Sequence, residues 1–218
     1  MFKTVRRSKS YQMPGPLLEV AMSYVKYACP HFDDENGKQQ IREAFDRFIY
    51  GGTGRDVISD FLEAFIGNTE PLERIETILN IPDQSSPLRV PVFTPVSFQN
   101  LRKKTRPWTV DEDNRLLAGI HRFGLDDWST ISRFVGGGRS RAQCSQRWTR
   151  GLDPRISKDS WSPEEESKLL TIIRESERKC WTSISMNMGN RSDVQCRYHF
   201  LQMKREGRLP PEINSIMI

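Results

Sequence analysis

Apolar residues recur at helical spacing along most of this chain, and no strand-like alternation interrupts them. Leu17, Ala21, Tyr24, Val25 and Ala28 share one helical face, and Pro30 stops the run. Ile41, Ala44, Phe45, Phe48 and Ile49 form a second face, closed by Gly51 and Gly52. Val57, Ile58, Phe61, Leu62, Phe65 and Ile66 form a third, with Gly67 and Asn68 suited to its C-terminal cap. Leu72, Ile75, Ile78 and Leu79 follow Pro71 and end before Pro82. Four short amphipathic helices of this kind predict a small bundle over residues 17–81. A basic arm precedes it over 1–16, and a proline-rich, semi-rigid linker follows over 82–103.

From residue 104 the pattern changes. Trp108, Trp128 and Trp148 stand 20 residues apart, and Trp161, Trp181 and Phe200 repeat the series about 53 residues later. Asp111, Glu112 and Asp113 map onto Glu164, Glu165 and Glu166; Arg139, Ser140, Gln143 and Cys144 map onto Arg191, Ser192, Gln195 and Cys196. The chain thus contains a tandem repeat, over 104–155 and 156–206, with a tail from 207 to 218. Each repeat predicts three helices. Thr109 with Glu112, and Ser162 with Glu165, are capping boxes, and Pro163 suits a first helical position. Ser140 and Ser192 suit the N-caps of the third helices. A unit of about 50 residues has little core, so Trp108, Trp128, Trp148, Trp161, Trp181 and Phe200 are expected to fill it. The fold class is all-α: an N-terminal bundle, a linker and two trihelical repeats.

The third helices differ from an ordinary solvated surface. With Cys144 and Trp148 turned inward, Ala142, Ser145, Gln146 and Thr149 share another face; in the second repeat that face holds Val194, Arg197, Tyr198 and Leu201. Arg139, Arg141, Arg147 and Arg150 surround the first face with no acidic residue among them. Such a helix suits the major groove of double-stranded DNA, with these faces toward base edges. The expected phosphate contacts are Lys103, Lys104, Arg106, Arg139, Arg141, Arg150, Arg191, Lys204 and Arg205.

Charge sharpens this picture. Residues 11–83 carry 6 Lys and Arg against 13 Asp and Glu, whereas residues 102–205 carry 21 against 13. The basic half points to a polyanion, and the acidic bundle to a separate protein partner. Four scattered cysteines have no metal-ligand spacing and read as reduced core residues. His31, His121 and His199 form no triad or metal cluster, so neither an enzyme nor a cofactor is expected. No apolar run reaches membrane-spanning length, and nothing at the start resembles a secretory signal.

Residues 107–205 resemble two Myb-type repeats. The resemblance rests on the Trp series and on the acidic runs Asp111-Glu112-Asp113 and Glu164-Glu165-Glu166. It rests also on Gly138-Arg139-Ser140-Arg141-Ala142-Gln143-Cys144, Asn190-Arg191-Ser192-Asp193-Val194-Gln195-Cys196 and Leu152-Asp153-Pro154. Both Gln-Cys pairs are also similar to the Myb repeats of the large DNA-binding subunit of the small-nuclear-RNA-activating complex. The resemblance implies helix-turn-helix bundles whose third helices enter adjacent major-groove segments, a monomer on DNA, and a nuclear transcription regulator. Ala142 stands where a family lysine is usual, and Arg197-Tyr198 where a Lys-Asn pair is usual, so the family's target sequence does not transfer. The competing reading is a SANT-like chromatin module that binds histone tails or other proteins.

Overall fold

In the computed structural model the described residues are 15–82, 106–176 and 180–214; all their regular structure is helical. The chain divides into two compact units, Met1–Ser145 and Gln146–Ile218.

The first unit opens with α1 (Pro16–Ala28), α2 (Glu35–Ile49), α3 (Arg55–Ile66) and α4 (Glu70–Leu79). Proline at its start and Glu19 in its first turn suit the N-terminus of α1. Asp34 caps α2 by accepting from the Asn36 N–H at 3.0 Å. Gly67, in the left-handed conformation at φ 61°, ends α3 as expected. Asn68 instead serves the next helix, its side chain accepting from the Glu70 N–H at 2.8 Å. Ile41, Ala44, Phe45, Ile49, Ile58, Leu62, Leu72, Ile75 and Ile78 are buried. Val57, expected on the inner face of α3, is exposed.

Helix α1 is buried more broadly than one stripe allows: Leu17, Leu18, Val20, Ala21 and Val25 are all in the core. It packs not only on α2 and α4 but also on α5 (Val110–Phe123), the first helix of the first repeat. Helix α4 packs on α5 as well. Arg122 of α5 donates to the carbonyls of Leu79 (3.2 Å) and Ile81, capping the end of α4, and the ring of His121 lies 5.9 Å from that of Tyr50. The N-terminal bundle and the first repeat therefore share one core. Helix α5 is accordingly buried from Leu116 to Ile120 without a break. Its opposite side meets α6 (Trp128–Val135) at Gly119, where an added Cβ would sit 3.4 Å from both Ile131 and Phe134.

Helix α7 (Arg141–Arg147) runs into a single π-helical turn, Trp148–Leu152. The second unit then contains α8 (Pro163–Glu175), α9 (Trp181–Met188), α10 (Asp193–Arg205) and the short α11 (Pro211–Asn214). Its core comprises Leu169, Ile173, Ile184, Met188, Cys196, Phe200 and Ile213. Ile213 belongs to the tail, and its burial docks this part of the tail on the bundle. Ile216, Met217 and Ile218 lie outside the described residues, as does most of the basic arm.

The aromatic expectation needs correction. Trp148 and Phe200 are buried, but Trp108, Trp128, Trp161 and Trp181 are only half-buried. Aliphatic side chains and the two buried cysteines occupy the centres, so these four indoles close the margins of the cores rather than fill them. Among the described residues no helix is long and apolar enough to cross a membrane.

Candidate nucleic-acid interface

The two third helices begin in the same way. The Gln143 N–H donates to Ser140 Oγ at 3.2 Å, and the Gln143 side chain accepts from the Ser140 N–H at 2.8 Å. Ser192 and Gln195 repeat this at 3.3 and 2.8 Å. The preceding turns need glycine: Gly136, Gly137, Gly138 and Gly189 all have positive φ. Cys144 and Cys196 are completely buried on the inner sides. Burial pushes their thiols up, to about 11 and about 12 respectively. These are packed protonated thiols, not poised nucleophiles.

Turning the cysteines inward leaves the expected outer faces accessible. Ala142, Gln146 and Thr149 are exposed and Ser145 is half-buried. The α-helical register ends at Arg147, so Thr149 belongs to the π turn rather than to the same regular stripe. On α10, Arg197 and Tyr198 are exposed, and Val194 and Leu201 are partly so. Lys204 and Arg205 are exposed at the end of the helix.

Two of the expected phosphate-binding arginines are committed elsewhere. The Arg139 side chain is 4% exposed and Glu112 completely buried; Arg139 donates to both Glu112 oxygens, at 2.9 and 2.8 Å. It also donates to the carbonyls of Arg106 and Pro107, and its guanidinium lies 4.4 Å from the Trp108 ring centre. Arg191 is 2% exposed and repeats the arrangement. It donates to Glu165 at 2.8 and 2.6 Å and to the carbonyls of Asp159 and Ser160, with its guanidinium 4.7 Å from the Trp161 ring centre. A guanidinium with its donors used in this way cannot also grip a phosphate, so Arg139 and Arg191 are structural residues. The sequence did contain a signal: each pair joins the N3 glutamate that closes a capping box to an arginine in matching repeat register.

These pairs also set the charge of the carboxylates. Burial pushes Glu112 up, but the Arg139 hydrogen bonds, the Thr109 N–H and the charges of Arg139 and Arg106 outweigh it, bringing Glu112 down to about 2. The Arg191 hydrogen bonds lower Glu165 to about 2, against the opposing effect of burial.

The remaining cations divide. Arg106 pairs with Glu112 and donates to the Gly137 carbonyl at 3.2 Å, leaving its side chain 42% exposed. Arg141 is exposed and reaches Ser129 Oγ at 3.4 Å. Arg150, expected on phosphate, makes a bidentate pair with Asp193 at 2.8 and 2.6 Å. Lys103 and Lys104 lie outside the described residues. No group of His, Cys, Asp and Glu able to hold a metal ion occurs among the described residues.

Helix-turn-helix pairs, α6 with α7 and α9 with α10, each held under a first helix by a Trp–Arg–Glu cluster, define a class of nucleic-acid-binding modules. The family described as Myb-like DNA-binding domain matches residues 108–169 and again 158–204. Myb-like protein N of Dictyostelium discoideum is 30% identical over 190 residues, 84% of this chain and 33% of its own length. Myb-like protein C of the same organism is 36% identical over 110 residues, covering 50% of this chain and 19% of its own. Human Myb-related protein B is 34% identical over 108 residues, 50% of this chain and 15% of its own. The chain belongs to the Myb-type DNA-binding family through its two repeats, and it spans a third or less of the length of these relatives. The match to Myb-like protein N extends upstream of the repeats, because residues 108–218 are only half of the chain. A chain in "X-ray Structure of Reb1-Ter Complex" aligns at TM-score 0.36 and 20% identity, over 91% of this chain and 52% of that one. That score is too low to define a shared arrangement.

Proposed function

We propose that this protein is a nuclear transcription regulator that binds double-stranded DNA with sequence preference, as a monomer, through the outer faces of α7 and α10. The observation that carries the reading is the separation of roles among the basic residues. Arg139 and Arg191 are consumed in holding the bundles, while Arg141, Arg197, Lys204 and Arg205 remain exposed on the third helices. Ala142, Ser145 and Gln146 then meet base edges from the first repeat, and Val194, Arg197, Tyr198 and Leu201 from the second. Arg197 suits a bidentate contact to guanine, and Gln146 one to adenine. Lys103, Lys104 and Arg106 would add phosphate contacts at the start of the first repeat.

Selection of duplexes from a random pool by the whole chain tests this. The selected sequence should be bound at least 1,000-fold more tightly than random duplex, the low end of the usual specificity range. Both affinities should fall steeply as salt rises. Equal affinity for selected and random duplexes would overturn the specific reading.

One observation favours a second reading for the second repeat alone. Tyr198 is 70% exposed and Leu201 41% exposed, an unusual amount of apolar surface for a groove helix. A SANT-like role, with α10 contacting a histone tail or another protein, would use that surface. Titrating histone peptides against the whole chain, with and without Tyr198→Ala, separates the two.

A further inference from the structure

We propose that α10 reads the C5 methyl groups of thymine, so that the second repeat contributes a methyl-dependent part of the recognition site. This rests on the reading of the protein as a sequence-selective DNA binder.

Val194, Tyr198 and Leu201 are 37%, 70% and 41% exposed, at spacings of four and three that place them along one side of the helix. The opposite side, Cys196, His199, Phe200 and Met203, is buried, so repacking within the repeat cannot cover the exposed stripe without dismantling its core. Arg197 and Arg205, both exposed, stand beside this stripe. Asp193 is the only carboxylate in α10, and the bidentate pair with Arg150 neutralises it. The surface is therefore apolar, flanked by cations and free of uncompensated negative charge.

A duplex meets that description. Phosphates answer the cations, and the thymine methyl is the one apolar group that the base edges present in the major groove. An apolar partner peptide would answer the stripe but would leave the flanking guanidinium groups without anions. The first repeat differs: beside the small Ala142, Ser145 and Gln146 offer a hydroxyl and an amide, which suit the polar edges of bases. The two repeats of one fold thus differ in chemistry: hydrogen-bond readout from the first, and methyl readout beside the Arg197 contact from the second.

The test uses the whole chain and its preferred duplex selected from a random pool. Each thymine is replaced in turn by deoxyuridine, which keeps the pairing edge and lacks only the methyl. Affinity should fall about fourfold at each thymine in contact with α10, the factor expected for one buried methyl-sized group. In Tyr198→Ala or Leu201→Ala the penalty at one of those thymines should vanish and the others should remain. Both side chains are exposed, so these substitutions leave the core intact.

A selected duplex that tolerates every deoxyuridine, while still being preferred over random duplex, overturns this assignment alone. Selectivity and affinity unchanged in both variants would likewise overturn it and point to a protein occupant. Failure to select any preferred duplex overturns the assignment together with the reading on which it rests.

Discussion

Helices α5 and α8 start from the same design and end in different surroundings. Each opens with a capping box whose glutamate holds a buried arginine, and each places a leucine and an isoleucine in its own repeat, Leu116 with Ile120 and Leu169 with Ile173. Even the cap on the second helix is shared: Arg115 donates to the Phe134 carbonyl at 3.5 Å, and Lys168 to that of Met188 at 2.8 Å. The difference lies on the other side. Leu117 and Ala118 are buried, whereas their counterparts Leu170 and Thr171 are half-exposed. Helices α1 and α4 cover that side of α5, while α8 receives there the single turn of α11 with Ile213. A three-helix unit of this size therefore leaves one side of its first helix open, and material from outside the repeat closes it.

Removing residues 1–82 should have the largest effect on the first repeat. It returns one side of α5 to water at ~1.5–3 kcal/mol for each large apolar side chain exposed, a sum that rivals a small domain's whole stability. Amide exchange should then report an unprotected first repeat beside an intact second one. An unchanged first repeat would mean that α5 needs no cover.

Next in size are the two buried arginines. Arg139→Ala leaves Glu112 buried without its main partner and should cost ~3–5 kcal/mol in denaturant unfolding. Arg191→Ala should cost less, because Glu165 keeps 18% of its surface in water. The reverse order would contradict the packing described above. Ile213→Ala should remove ~2–3 kcal/mol from the second repeat and nothing from the first, toward the low end for a buried isoleucine because a terminal turn can shift. Thermal melts of this variant against the parent check this.

Acid should separate the units by pH rather than by size. His121 is lowered to about 4 by burial and by the neighbouring Arg122 charge, so folding favours its neutral form. That contribution is complete above its ordinary value of 6.5 and is lost as pH falls from there toward 4. Glu112 and Glu165, depressed from 4.5 to about 2, contribute above 4.5 and lose their contributions between 4.5 and 2. The first unit should therefore begin to weaken between pH 6.5 and 4, before the shared carboxylates titrate. His121→Phe should remove that early phase. The smallest expected effect is that of Arg141→Ala, a uniform loss of DNA affinity across sequences, measured by fluorescence anisotropy.

Much of this was legible from residue spacing. The duplicated tryptophan series, the capping boxes and the inward cysteines locate both repeats and both third helices because these features are local or periodic. The pairing of Arg139 with Glu112 was visible only as two separate columns of the repeat; nothing local says that positions 27 residues apart in the chain meet in space. Nor does the stripe of α1 announce a second partner. Leu18 and Val20 lie off its main face, and their burial follows only once α5 is placed beside α1. Arg150 illustrates the same limit, since its partner Asp193 is 43 residues away.

Burying Arg139 and Arg191 has a consequence for how tightly this region holds a polyelectrolyte. Each guanidinium has surrendered its charge to an internal carboxylate, so neither displaces a condensed counterion when the duplex arrives. A census of arginines in the two repeats overstates the electrostatic stroke of the protein by at least these two, and the slope of log affinity against log salt should be correspondingly shallower.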